Sequence, residues 1–271
     1  MAGARDERLA IVTPLANERD TIDELVRRTL PHLGPADRFF MVFDNACKDG
    51  AVDRARELAA TDPRIEVVWA PQNRCVVDAY FAGYRAALAG GFDWILEMDG
   101  GLSHRPEEIP RFVAAMRQGY DYAGGSRFIP DGSISGPLFR RAVSRGGTLL
   151  SNLLLRTRMR DMTSGFECFT HAALSKVVAA GVRSRAHFFQ TEIRYMMHQL
   201  RWTEVPINYG CPSKSVGKSS LKEAFGTLWA LYRERKAAAK AAAVTRRAAP
   251  VPTPAAPSHD AIDDRAPTCA P

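Results

Sequence analysis

At 271 residues, 46% hydrophobic and 25% charged, the chain is long enough for one large α/β domain, or two small ones, around a sizeable core. Its net charge of +7 points to anionic partners (phosphates, nucleotides, a lipid surface) as readily as to plain solubility. Without RNA-binding signatures or zinc-finger spacings, no nucleic-acid partner is expected.

The cysteines are scattered and never form a CxxC pair, which argues against a disulfide framework and a cysteine-rich zinc site and fits a reducing compartment. No uncharged apolar run approaches the roughly 18 residues of a bilayer span. A cytoplasmic protein is therefore expected, with peripheral contact at the inner membrane face left open.

The apolar run 8–15 predicts a strand, and 16–33 has helical spacing, with Ile22, Leu25, Val26 and Leu30 on one face. Strands follow at 38–44, 65–71 and 92–99, and helices at 51–62, 76–91 and 106–119. Strand alternating with helix, with near-continuous apolar strands, predicts a mostly parallel sheet flanked by helices on both faces. Beyond residue 120 come a strand with a glycine-rich loop, then a helix over 137–158 that Gly146 and Gly147 could break. Residues 161–177 read as a loop turning helical, 187–202 as a helix, 203–210 as a closing strand and 220–247 as a long helix. From 248 to 271 the Ala/Pro-rich tail has too few large apolar groups to offset its ordering entropy and is expected to be disordered.

Ligands of parallel sheets bind at the carboxyl ends of the strands. By that rule Asp44 and Asp99, each closing an apolar strand, should share one crevice. Asp44, Asn45 and Asp49 could accept hydrogen bonds from a nucleobase or ribose, although such residues are also ordinary turn formers. Ser103 suits a helix cap. His104 could give a metal an imidazole or hydrogen-bond Asp99; hard Mg²⁺ prefers oxygen, which favours the hydrogen bond. Arg127, Arg140, Arg141 and Arg145, with Lys214 and Lys218, are candidate phosphate contacts if they converge. "GKSS" is no Walker loop, because position 212 is Pro where that motif needs glycine.

In order along roughly 8–222, "IVTPLANE", "FDNACKDGA", "EMDGGLSHRPEEIP", "GSRF", "RRAVS", "DMTSGF", "FQTE" and "EVPI" form a set. Together they resemble the inverting family 2 glycosyltransferases of GT-A fold, nearest the dolichyl- or polyprenyl-phosphate mannosyltransferase branch. The resemblance implies a transferase domain over 1–219. It matches Pro14, Asn17, Glu18, Asp44, Asp49 and Asp99 to the donor-binding side. It puts Arg127, Arg140 and Ser144 around the donor pyrophosphate or acceptor phosphate, and Lys214 and Lys218 in the family's basic loop. Gln190 and Glu192 would lie near the sugar and acceptor, Glu192 as a base, with Asp99 as the central acid.

The chain departs from the family at several of these points. Gly101 stands at the second carboxylate of DxD, Asn45 and Cys47 replace an Asp and a Ser, and Ala16 replaces a tyrosine. Lys214, Ser220 and Glu167 replace basic residues of the pattern or alter them. With Asp99 as the remaining DxD acid, an Mg²⁺ or Mn²⁺ site should be weak or absent and the enzyme could be metal-independent. Backbone amides at Gly100–Gly101 could then approach the pyrophosphate.

A nucleotide-sugar donor, GDP-mannose-like by the branch, and a polyprenyl-phosphate acceptor are expected. A soluble metabolite acceptor, or a non-catalytic nucleotide-sugar-binding protein, remain alternatives. Phe225, Leu228, Trp229 and Tyr232 form one stripe of the 220–247 helix, with Arg233, Arg235, Lys236 and Lys240 beyond. That amphipathic basic helix would lie on an anionic membrane or pack on the protein itself.

Overall fold

The structure, a computed structural model, describes residues 7–210 and 218–248. Its first half is the alternation expected: β1 (Leu9–Pro14), α1 (Ile22–Thr29), β2 (Arg38–Phe43), α2 (Ala51–Thr61), β3 (Ile65–Trp69), α3 (Val76–Ala89), β4 (Trp94–Glu97) and α4 (Ile109–Met116). There follow β5 (Tyr122–Ser126), β6 (Ser133–Ile134), α5 (Leu138–Leu155), β7 (Glu167–Thr170), α6 (His171–Ala180), α7 (Phe189–Met197), β8 (Trp202–Pro206), β9 (Asn208–Tyr209) and α8 (Lys218–Ala248).

The main sheet has the order β3-β2-β1-β4-β7-β5-β8. β7 runs antiparallel to both β4 and β5, while the other pairings are parallel. β6 and β9 make a separate small ladder.

Strand residues alternate between two cores, one on each face, which is why the strand sequences look apolar throughout. Leu9, Ile11, Phe39 and Met41 pack with Ile22, Leu25, Ile109 and Phe112 on one side. Ala10, Val12, Phe40 and Val42 meet Val77, Tyr84, Leu174 and Ile193 on the other. Helix α3 comes so close to the sheet that a Cβ on Gly83 would sit 2.3 Å from a Val12 methyl.

Several expectations change. Residues 167–170 form a strand, not a loop, in the middle of the sheet. A charged residue opens it and it has four positions, so period-two alternation had nothing to act on. The helix of α5 continues through Gly146 and Gly147. α1 starts at Ile22, because Asn17 takes a left-handed φ of 57° and the chain loops first. The helix expected over 187–202 stops at Met197, and Trp202 opens β8. The long helix expected over 220–247 spans Lys218–Ala248, and the chain divides into two compact units at Arg233 and Glu234. The expected tail beyond Ala248 lies outside the described residues. No described helix is long and apolar enough to cross a membrane.

Candidate active site

Asp99 follows β4 by two residues, and its side chain is 32% exposed. Tyr80 of α3 donates its hydroxyl to Oδ1 at 3.0 Å, and Ser103 donates to Oδ2 at 3.0 Å. The Asp99 backbone N–H donates to Nδ1 of His104 at 3.1 Å, so the imidazole proton sits on Nε2, 3.6 Å from Oδ2. Burial lowers the His104 pKa against the pull of Asp99, and the ring stacks on Phe166 with centroids 4.8 Å apart. His104 is thus a neutral support of the Asp99 loop, bonded to the Asp99 backbone and not, as expected, to its carboxylate.

Two glycines bring that loop to the end of β1. A Cβ on Gly100 would fall 2.9 Å from the Pro14 carbonyl oxygen and 2.4 Å from Leu15 Cδ2. One on Gly101 would meet Glu18 Oε1 at 3.2 Å. Glu18 also accepts the Thr21 hydroxyl on Oε2 at 2.7 Å. Pro14, Glu18, Gly101 and Asp99 therefore share one rim.

The loop after β2 joins the same rim. Asn17 donates from Nδ2 to the Ala46 carbonyl at 3.1 Å and accepts from Lys48 N–H at 2.9 Å. Asp44 accepts from Ala46 N–H at 2.8 Å. Asp49 accepts from the N–H groups of Arg19 (2.7 Å) and Ala51 (3.1 Å). Desolvation works to raise the Asp49 pKa, but these hydrogen bonds and one from the Cys47 thiol outweigh it, so it lies below the ordinary range. β2 and β4 flank β1 and all three run parallel, so Asp44 and Asp99 leave the sheet at the same end.

Beneath Asp99 lies a buried polar tier that sequence reasoning missed. Glu97 is fully buried, accepts the Tyr84 hydroxyl and faces the Gln190 amide. Tyr80 and Tyr84 are one turn apart on α3, while Asp99 and Glu97 are two residues apart along one chain. These repeats of about 6 Å and about 6.6 Å let one helix face serve both carboxylates. Glu97 lies opposite Glu167 across the β4–β7 pair. Arg194, also fully buried, donates from Nε to Glu167 at 2.6 Å and to the carbonyls of Gly125 (3.0 Å) and Asp161 (2.5 Å). Burial pushes both acids up, Glu167 to about 7 and Glu97 well above its ordinary value. Two carboxylates with one guanidinium between them retain a proton that belongs to the pair. The only sequence signal was an acid inside an apolar strand.

Other candidates are engaged elsewhere. Arg127 grips Asp161 through Nε and Nη2 at 2.7 and 2.8 Å and donates to Thr163 at 2.6 Å. Desolvation opposes ionisation of Asp161, yet Arg127 and Arg194 together bring it down to about 2. The bidentate fork that the resemblance aims at phosphate is occupied by protein. Glu192 accepts the N–H groups of Arg183 (3.0 Å) and Ser184 (2.7 Å), and burial raises its pKa. It clamps the loop before α7. Gln190 packs where Gly165 leaves room, since a Cβ there would lie 1.6 Å from its Nε2. Arg140 and Ser144 are one turn apart on α5, and the charge of Arg140 is felt at Tyr209, whose ring meets His104 edge-on at 5.4 Å. Lys218 opens α8, and Lys214 lies outside the described residues.

For a resident Mg²⁺ or Mn²⁺ the rim offers few protein oxygens that are not already engaged. Such ions take about six oxygen ligands, usually one or two carboxylates with waters and substrate phosphates making up the rest. Here Asp99 already receives two hydroxyl donors, glycine occupies position 101, and Glu18 is held by Thr21. Among the described residues no group of three or more His, Cys, Asp or Glu could hold a metal ion.

A mostly parallel sheet, covered on both faces and carrying acidic loops at the carboxyl ends of β1, β2 and β4, is the arrangement of the GT-A fold. The family described as Glycosyl transferase family 2 matches residues 10–180, and the chain belongs to it; it is an enzyme of the glycosyltransferase class. It is 31% identical over 218 residues to the polyprenol monophosphomannose synthase of Mycolicibacterium smegmatis, covering 79% of this chain and 82% of that protein. It is 30% identical over 217 residues to the undecaprenyl-phosphate mannosyltransferase of Micrococcus luteus, covering 79% and 87%. Among solved structures, glucosyl-3-phosphoglycerate synthase from Mycobacterium tuberculosis in complex with UDP superposes with a TM-score of 0.60. That match covers 84% of this chain and 80% of the other at 13% identity, a likeness of fold.

Proposed function

We propose that this enzyme transfers a sugar from a nucleotide-sugar, GDP-mannose-like, to a polyprenyl phosphate with inversion at the anomeric carbon. The observation carrying this reading is the single rim formed by Pro14, Asn17, Glu18, Asp44, Asp49 and Asp99, built by loops from three adjacent strands. The names of the Mycolicibacterium and Micrococcus relatives support the acceptor class.

An acceptor phosphate oxygen, already anionic at neutral pH, forms the new bond to the anomeric carbon while the bond to the nucleoside diphosphate breaks. No proton has to be removed from the nucleophile, so a strong base is unnecessary. The engagement of Glu192 with two backbone amides fits that demand. Asp99, oriented by Tyr80 and Ser103, would accept from a donor hydroxyl. Positioning and neutralisation of the leaving diphosphate then carry catalysis. Amides at Gly100–Gly101 and basic side chains such as Arg140 would supply the neutralisation, without a fixed divalent cation.

Calorimetric titration with a panel of nucleotide-sugars, with and without Mn²⁺, tests this directly. Asp99→Ala is expected to lower donor affinity at least about tenfold, the loss of one charge-assisted hydrogen bond. Equal donor affinity in that variant would remove Asp99 from the site. Donor binding that vanishes with chelator would overturn the metal-independent reading. Transfer of labelled sugar to a polyprenyl phosphate, measured alongside, decides between an active enzyme and a silent binder.

A further inference from the structure

Tyr209 closes β9, just past the motif at 204–207, and no sequence pattern singles it out. Its backbone is fastened on both sides. β9 pairs with β6, the Asn208 N–H and Nδ2 both donate to Glu108 Oε1 at 2.8 Å, and Ser133 donates to Asn208 Oδ1 at 2.6 Å. The Gly210 N–H donates to the Ser103 carbonyl at 2.7 Å. The ring is fastened too. His104 meets it edge-on at 5.4 Å, and the Arg127 guanidinium, itself gripped by Asp161, stands 5.4 Å from its centroid.

The phenol oxygen is the one polar atom of this side chain, and it is set among the charges of the site. Ser103 is its hydrogen-bond partner, and the charges of Asp99, Arg127 and Arg140 all act on it. Ser103 gives its own proton to Asp99 Oδ2, so Tyr209 donates to Ser103 Oγ. Burial and the Asp99 charge hold the phenol pKa above its ordinary value, so the hydroxyl keeps its proton. A lysine or arginine in this place would be drawn into an ion pair with Asp99. A neutral hydroxyl can sit beside that carboxylate and still offer a hydrogen bond to an anion.

We propose that Tyr209 is a catalytic residue whose hydroxyl donates a hydrogen bond to the diphosphate of the donor nucleotide as the sugar leaves. This deepens the transferase reading and rests on it. A nucleotide-sugar has its diphosphate between the nucleoside and the sugar. Tyr209 is the side chain that feels both Asp99, an acceptor for hydroxyls, and Arg140, a partner for phosphate. With the nucleotide bound, its O–H turns from the neutral Ser103 Oγ to a charged oxygen, and charge-assisted bonds are roughly twice as strong. Ser103 keeps its bond to Asp99 when Tyr209 turns away. As the bond from the anomeric carbon to the diphosphate oxygen breaks, its electron pair goes to that diphosphate, and the Tyr209 bond strengthens. The phenol keeps its proton throughout, and the acceptor phosphate supplies the electron pair for the new bond.

The test is calorimetry of the full chain with GDP, GMP, UDP and UMP, beside steady-state transfer from GDP-mannose or UDP-glucose to a polyprenyl phosphate. Tyr209→Phe keeps the ring against His104 and Arg127 and removes only the hydroxyl, so its melting temperature should match the wild type. In this variant, affinity for whichever diphosphate binds should fall about tenfold, while affinity for the matching monophosphate stays within about twofold. kcat should fall at least about tenfold, with KM for the acceptor unchanged. Ser103→Ala controls for an indirect role, since it disturbs Asp99 and leaves the phenol in place. It should weaken both nucleotides alike and keep the preference for the diphosphate. An undiminished preference for diphosphate over monophosphate in Tyr209→Phe would overturn the proposal. So would a Ser103→Ala variant that loses the preference to the same extent, because Tyr209 would then act through Ser103. If the wild-type chain bound none of the four nucleotides, the transferase reading itself would fall, and this proposal with it.

Discussion

Glu167 stands where the family resemblance leads one to look for a cation, and the guanidinium arrives from α7 as Arg194. A carboxylate so deeply buried beside Glu97 binds its proton more tightly in the folded chain than in the unfolded one. Its pKa is raised from 4.5 to about 7, chiefly by desolvation. The sign follows: the stabilising contribution is complete below the unfolded pKa near 4.5 and is lost as pH rises through about 7. A shift of this size corresponds to a contribution on the order of 3 kcal/mol. In denaturant melts from pH 4.5 to pH 8, the wild-type chain should lose stability in that window, and Glu167→Gln should flatten the slope while lowering the plateau. An unchanged slope in the variant would show that Glu167 does not titrate there. Such a group could not be graded from the sequence, because its pKa depends on Arg194, 27 residues away, and on the strand opposite.

At the level of elements, the turn before β7 and the first turn of α7 fit only because position 165 has no side chain. A Cβ there would lie 1.6 Å from Gln190 Nε2, so Gly165→Ala must swing the amide away from Glu97 or move the helix. Overpacking of this kind costs about 1–3 kcal/mol. The variant should melt earlier and transfer sugar more slowly, with the loss in kcat rather than in donor affinity if Gln190 acts on the reacting groups. A variant with wild-type kcat would place Gln190 outside the chemistry. The pairing of α3 with β4 is a second case: two tyrosines one turn apart reach two carboxylates two residues apart. Helix and strand were each legible from their own periodicity, and the placement of Gly165, Tyr80 and Tyr84 was not, since it needs the elements already packed. The strand β7 was hidden for the same reason. Its four residues are a strand because β4 and β5 hold both of its edges.

At the scale of the whole molecule, the unit ending at Arg233 contains the rim, both cores and the Leu228–Leu231 seam. A chain cut after Arg233 should therefore keep donor affinity and a melting temperature within a few degrees of the full chain. A collapse of the melting transition would show that the residues beyond 233 support the fold.

The alternation of strands and helices, the two-sided burial of the sheet and the arrival of Asp44 and Asp99 at its carboxyl end all follow from local periodicity. Each needs only the few residues around it, and the ordered motifs were enough to indicate the family. Which partners the charges took was decided by packing between segments tens of residues apart. Arg127 was claimed by Asp161, Glu192 by the loop at 183–184, and Arg194 by Glu167. The same holds for α5: its sequence reads as a helix, and the fold buries one edge and leaves the other facing outward. A residue type states what a side chain can bond to, and only the assembled fold states what is within reach.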